Sequence, residues 1–137
     1  MLSKWVLLLL IIVSANTLAG KAAIEIIEQF DDFKVVAFVN EADIEDYPVW
    51  QSLVDTPPLP VNEAIRLVQG HLGEVGKSAE TDVIKEIELR EIPRHPNYWH
   101  YLVKTENNDF GPSRYGIYVV LMSGKIIPAI VEPDAFK

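Results

Sequence analysis

The sequence predicts an α+β fold: one amphipathic helix packed on an antiparallel meander, with an N-terminal β-hairpin. Three observations carry that expectation. Apolar residues recur at helical spacing over residues 61–72. The last third of the chain alternates apolar and polar with period two. Near the start, two apolar segments are separated only by Asp31-Asp32.

Taken in order, Ala23 to Phe30 fits neither period cleanly, with Ile24, Ile26 and Ile27 crowded together. Phe33 to Val39 is β-branched and aromatic, the composition of a strand. A tight turn at Asp31-Asp32 makes the two a hairpin. Glu41 to Pro60 reads as a loop, because Pro48, Pro57, Pro58 and Pro60 lack an N–H and fix φ. It is long for a compact domain, and Trp50 is expected to pin it to the body. Val61 to Leu72 is the clearest helix. Ala64, Ile65, Val68 and Leu72 form one apolar face, with Glu63 in the first turn and His71 in the last, as the helix dipole favours. Gly73 is the expected left-handed stop, and a polar linker runs on to Thr81.

In the last third, Val83, Lys85, Ile87 and Leu89 oppose Glu86, Glu88 and Arg90. Pro93 to Asn97 makes a turn. Trp99, Tyr101 and Val103 oppose Tyr98, His100 and Lys104. Glu106 to Ser113 is a polar loop. Tyr115, Ile117, Val119 and Leu121 oppose Tyr118 and Val120. Ser123-Gly124 suits a two-residue hairpin connection. Ile126 to Val131 is the last strand, and Pro128 makes it an edge because proline cannot donate to a ladder. The helix face is expected against Ile87, Leu89, Trp99, Tyr101, Ile117 and Val119. The N-terminal hairpin is expected to pair with the free edge of 83–92.

Residues 1–19 have the parts of a secretory signal in order: Lys4, an unbroken apolar run from Val6 to Val13, then Thr17-Leu18-Ala19 with small residues at −3 and −1 of a cut before Gly20. The run is too short for a membrane-crossing helix, which needs about 20 residues. The chain is therefore expected to be exported, to the bacterial periplasm or the medium, with no stable membrane insertion after cleavage. Residues 20–60 hold the hairpin and the proline-rich loop. Residues 61–137 hold the helix and the four-stranded sheet, and the two parts form one domain. There is no cysteine, so no disulfide and no thiolate–metal site is expected. Removing the leader also removes Lys4 and makes the formal charge of −8 one unit more negative. That acidity, with scattered Lys and Arg, argues against nucleic acid and anionic membrane surfaces as partners.

Three pieces of this pattern resemble the small exported PepSY and PepSY-like domains: Val61-Asn62-Glu63-Ala64-Ile65, Trp99-His100-Tyr101-Leu102-Val103, and Tyr115-Gly116-Ile117-Tyr118-Val119 running on to Gly124-Lys125-Ile126-Ile127. The resemblance covers residues 61–131. The linker after the helix lacks a Pro-Gly pair, and residues 21–60 lie outside the pattern. The resemblance implies a non-catalytic domain that binds peptides or restrains a protease, and it brings no catalytic residues.

Candidate sites weigh unevenly. Glu41-x-Asp43-x-Glu45-Asp46 has alternate carboxylates, but a calcium loop needs Gly at its sixth position and Glu at its twelfth, where this chain has Asp46 and Ser52; a solvated acidic loop is expected. His71, His95 and His100 lack metal-ligand spacing. Pro57-Pro58-Leu59-Pro60 matches P-x-x-P and reads as a rigid strap into the helix. The serines have no nucleophile-elbow context. The aromatic group Tyr98, Trp99, Tyr101, Phe110, Tyr115 and Tyr118 puts aromatics on both faces of the 98–103 strand. One face covers the helix. The other lies under the N-terminal hairpin or open to a ligand, and burial is the more common fate of such a face.

Two function classes follow. The first is an exported, non-enzymatic binding or inhibitory module, without cofactor or metal, whose partner is a peptide or protein met in the exported compartment. It would bind through the outer aromatic face at Tyr98, His100 and Tyr118, or by strand addition along 83–92. The second is a small hydrolase or isomerase using carboxylates and His100.

Overall fold

The computed structural model describes residues 23–52 and 54–132; the leader and its expected cleavage site lie outside them. The fold is α+β. Strands β1 (Ile24–Gln29) and β2 (Lys34–Val39) form the expected antiparallel hairpin. Its turn closes with the Phe30 N–H donating to the Phe33 carbonyl at 2.8 Å, and the two rings stack at 4.6 Å.

The segment after it is not a plain loop. Glu41–Ile44 forms one helical turn, α1. The Asn40 N–H donates to Asp43 Oδ2 at 3.0 Å, and carboxylates suit a helix start. Lys125 pairs with Asp43 across the molecule, so the acidic cluster is partly a structural tie rather than a wholly solvated run. The rest of the strap is irregular. Trp50 is buried, as expected: its indole N–H donates to the Asp55 carbonyl at 2.8 Å, and its ring meets Trp99 edge-on.

Helix α2 (Val61–Glu74) runs one residue pair beyond the expected end. Gly73 remains helical; the stop is Gly76, at φ +77. The Lys77 N–H donates to the Leu72 carbonyl at 2.8 Å and the Gly76 N–H to Gly73 at 3.3 Å, the paired bonds of a glycine-terminated helix. Ala64, Val68 and Leu72 are buried, while Ile65 is only half-buried, and Leu67 is the partly buried helix residue that packs against the core.

Strands β3 (Val83–Glu91), β4 (Trp99–Glu106), β5 (Tyr115–Leu121) and β6 (Ile126–Pro128) form the expected meander in that order. Four residues, Met122 to Lys125, separate β5 from β6, and the turn closed between Leu121 and Lys125 holds three of them, not two. Met122, Ser123 and Gly124 (φ +91) lie inside the Leu121 N–H to Lys125 carbonyl bond of 2.9 Å, a turn that needs a left-handed residue at its end. The last strand also differs. It stops at Pro128, and Ile130–Val131 (β7) crosses to pair with β2, giving a second sheet in the order β1-β2-β7. Pro128 has no N–H to donate, Ala129 still donates to the Ile117 carbonyl of β5 at 2.8 Å, and the chain then changes sheets at Ile130.

Residues opposite each other in an antiparallel pair project to the same side. The registers Leu89↔Tyr101↔Val120 and Ile87↔Val103↔Tyr118 therefore define one side of the meander. Helix α2 lies on it, with His71 edge-on to Tyr118 at 5.5 Å. The other side carries Arg90, His100 and Leu121, and then Glu88, Leu102 and Val119. The β1-β2-β7 sheet covers it, with Ile26, Val35, Ala37 and Val39 buried in the shared core. The molecule is thus three layers: helix, four strands, three strands. This corrects the phase of β5: Ile117 and Val119 face the small sheet, and Tyr118 and Val120 face the helix. It also corrects the place of the hairpin, which stacks on the meander and does not pair with β3. Among the described residues no helix is long and apolar enough to cross a membrane.

Candidate functional site

The three residues expected on one outer aromatic face are not brought together. Tyr98 precedes β4, half-buried, its ring stacked between Tyr47 at 5.2 Å and His95 at 5.6 Å. His100 is 1% exposed and lies between the sheets. Tyr118 is 5% exposed and lies under the helix. The reason is the β5 phase: residues read as one outward face project to opposite sides of the sheet.

His100 has no catalytic setting. Neither ring nitrogen makes a well-aligned hydrogen bond among the described residues, though the Arg90 backbone lies close enough to favour the protonated ring weakly. Burial, helped by the nearby Arg90 charge, pushes its pKa from 6.5 down to about 4, so the ring is neutral in the fold. The charges beside it pair with one another. Glu28 of β1 reaches across the layer boundary to Lys104 at 2.6 Å and Arg90 at 2.8 Å, and Lys104 also meets Glu88 at 3.3 Å. Burial pushes the Glu28 carboxyl up, but the hydrogen bonds from Lys104 and Arg90 outweigh it and hold it below its usual range. In the sequence pattern Glu86, Glu88 and Arg90 stand opposite Ile87 and Leu89, on the side that the small sheet covers. They form part of an inter-sheet ion cluster.

Tyr47, on the strap, is a second buried polar node. Its hydroxyl donates to the Trp99 carbonyl and accepts the Met122 N–H at 2.7 Å. Burial raises its pKa to about 12 against the opposing pull of that N–H. A polar hollow of about 710 Å³ opens beside Lys77, Asp82, Asn107 and Ser113. Four of its polar side chains are already bonded within the fold: Asn107 donates to Asp82 at 3.0 Å, Thr81 to Asp82 at 3.2 Å, and Ser113 to the Phe110 carbonyl at 3.0 Å. Among the described residues no group of three His, Asp or Glu could hold a metal ion.

Among the described residues the open strand edges are those of β1 and β7 in the small sheet and of β3 and β6 in the meander, and β3 offers the longest. The hairpin expected there is stacked elsewhere, so β3 pairs only with β4. The Ile92 N–H donates to the Tyr98 carbonyl at 2.6 Å. By the alternation of an antiparallel ladder, the even residues Arg90 and Glu88 turn their N–H and C=O to β4, and the odd residues Ile87, Leu89 and Glu91 turn theirs outward. Beside this row lies a groove of about 570 Å³ lined by Pro57, Pro60, Val61, Ile87, Leu89 and Tyr101. It exists because α2 packs chiefly on β4, β5 and β6, and only the proline strap, held by the Tyr101 hydroxyl donating to the Leu59 carbonyl at 2.6 Å, reaches toward β3. Leu89 is left 36% exposed. Sequence reading placed Ile87 and Leu89 wholly in the core; their alternation is the same whether the helix covers them or stops short.

The chain matches no family model, no curated protein and no solved structure.

Proposed function

We propose that this chain is an exported, non-enzymatic binding module that takes an extended protein segment along the free edge of β3. One observation carries the reading. The outward N–H and C=O groups of Ile87, Leu89 and Glu91 run beside an apolar groove whose floor is made by the same strand. Strand addition uses both features: backbone bonds supply attachment, and every second side chain of the added segment drops into the groove. The groove asks for apolar residues at alternate positions. The PepSY-like pattern of residues 61–131 and the leader-like residues 1–19 support the same reading. The catalytic alternative built on His100 draws no support from that ring's position, buried at 1% exposure between the two sheets.

Selection of displayed random linear peptides on the mature protein tests it. The expected binders carry alternating apolar residues and lose affinity for the Leu89→Pro variant. Proline there removes an outward donor and leaves the bonds to β4 in place. Peptides that bind the variant equally well would defeat the reading. Intact mass of the exported protein checks the leader: cleavage before Gly20 is expected, and a mass retaining Leu7 to Ile12 contradicts it.

A further inference from the structure

Resting on that reading, we propose that the strand taken by β3 is β3 of a second copy, antiparallel about a two-fold axis through Glu88. The ladder itself narrows the choice. Outward groups belong to odd residues, so bonded pairs must join odd to odd, and the axis must pass through a residue rather than between two. An axis through Ile87 sets Glu86 against Glu88 of the other copy twice. An axis through Arg90 sets guanidinium against guanidinium. An axis through Leu89 sets Ile87 against Glu91, apolar against carboxylate. The axis through Glu88 sets Ile87 against Leu89 and Glu86 against Arg90, each pair twice, within the regular part of the strand; Lys85 lies in the bulge between Ile84 and Glu86 and takes no part in the pairing. Its one like-charged contact is Glu88 with its own copy, and each of those carboxylates already holds Arg90 and Lys104 of its own chain.

The geometry of the edge agrees. Ile87 and Leu89 would exchange backbone bonds with their opposites and bring their side chains together on the helix side, so the two grooves beside them become one apolar strip across the axis. On the other side the Glu86 and Arg90 pairs extend the ion cluster. A charged edge resists foreign strands, but this order of charges complements itself. The result is a closed, isologous dimer with a continuous eight-stranded sheet made from the two four-stranded ones.

Analytical ultracentrifugation of the mature chain over a wide concentration range gives the test. A monomer–dimer equilibrium is expected, with Leu89→Pro monomeric. Glu86→Arg alone and Arg90→Glu alone, each checked as folded by its cooperative melt, create two like-charged contacts and should weaken the dimer about tenfold. Mixed in equal amounts, these two variants restore both pairs and should associate about as tightly as the unaltered chain. That recovery also shows that both variants fold. Two results overturn the inference: an unaltered chain monomeric throughout, or a dimer for which the mixture shows no recovery. A monomer whose Leu89→Pro variant loses selected peptides would overturn the second copy alone and leave the docking edge standing. A dimer indifferent to Leu89→Pro, with peptides equally indifferent, would overturn both.

Discussion

Replacing His100 with leucine should change the acid stability of the protein in a defined window. The imidazole is neutral in the fold, with its pKa lowered from 6.5 to about 4 by burial and by Arg90. Above pH 6.5 both folded and unfolded chains carry it neutral, and it contributes no pH dependence. Below pH 6.5 the unfolded chain binds a proton that the folded chain refuses until about pH 4. The fold therefore loses stability across that window as the pH falls. At ~1.4 kcal/mol per pH unit the full loss is roughly 3 kcal/mol. His100→Leu abolishes this slope. It also removes two buried ring nitrogens that lack well-aligned hydrogen bonds, so its stability at neutral pH should equal or exceed that of the parent by about 1 kcal/mol. The Glu28 carboxyl, held below its usual 4.5, contributes stability that is lost only below that pH, so it does not confuse the upper part of the window. Urea denaturation at pH 7.5, 6.0 and 5.0 measures the effect. Parallel loss of stability in parent and variant would refute the reasoning.

Gly116 stands opposite Thr105, and a β-carbon there would lie 2.4 Å from Thr105 Oγ1; Gly116→Ala should cost about 1–3 kcal/mol, and adding Thr105→Ala should return part of it in a thermal or chemical melt. Tyr47→Phe removes both the donor to the Trp99 carbonyl and the acceptor for the Met122 N–H; a loss of about 1–3 kcal/mol is expected by denaturation, with the near-ultraviolet signal of the neighbouring tryptophans altered. Val68, fully buried on the helix, should not accept a charge: Val68→Asp is expected to abolish the cooperative transition, since an unpaired buried carboxylate is very costly.

Much of the fold is legible in the residues, and the misreadings have physical causes. The helix face is readable because Ala64, Val68 and Leu72 repeat at its period. Strand β4, although buried on both sides, is readable because His100 and Lys104 interrupt its apolar run at alternate positions. Strand β5 is not: Ile117 to Leu121 is buried on both sides, so its sequence carries no polar alternation to set the phase. That single ambiguity put Tyr118 on the wrong face. Charge pattern alone leaves open whether Glu86, Glu88 and Arg90 face water or a covering sheet; here the covering sheet brings Glu28 to meet Arg90 and Lys104. Pro128 signals an edge, and the structure adds that the chain uses it to leave one sheet for the other. The candidate site was half legible. The 83–92 edge follows from strand order, whereas its freedom depends on where the hairpin goes, which no local signal near Asp31-Asp32 encodes.

The central claim is that the outward backbone groups of β3 are the docking surface. Residue-resolved amide hydrogen exchange addresses it most directly, because the strand carries its own control. In the dilute, unliganded chain the amides of Glu88 and Arg90, which face β4, should exchange slowly, and those of Ile87 and Leu89 should exchange fast. On binding a selected peptide, or on raising the protein concentration until it dimerises, Ile87 and Leu89 should become protected while Glu88 and Arg90 change little. Binding or association that leaves the Ile87 and Leu89 amides in fast exchange would contradict the account.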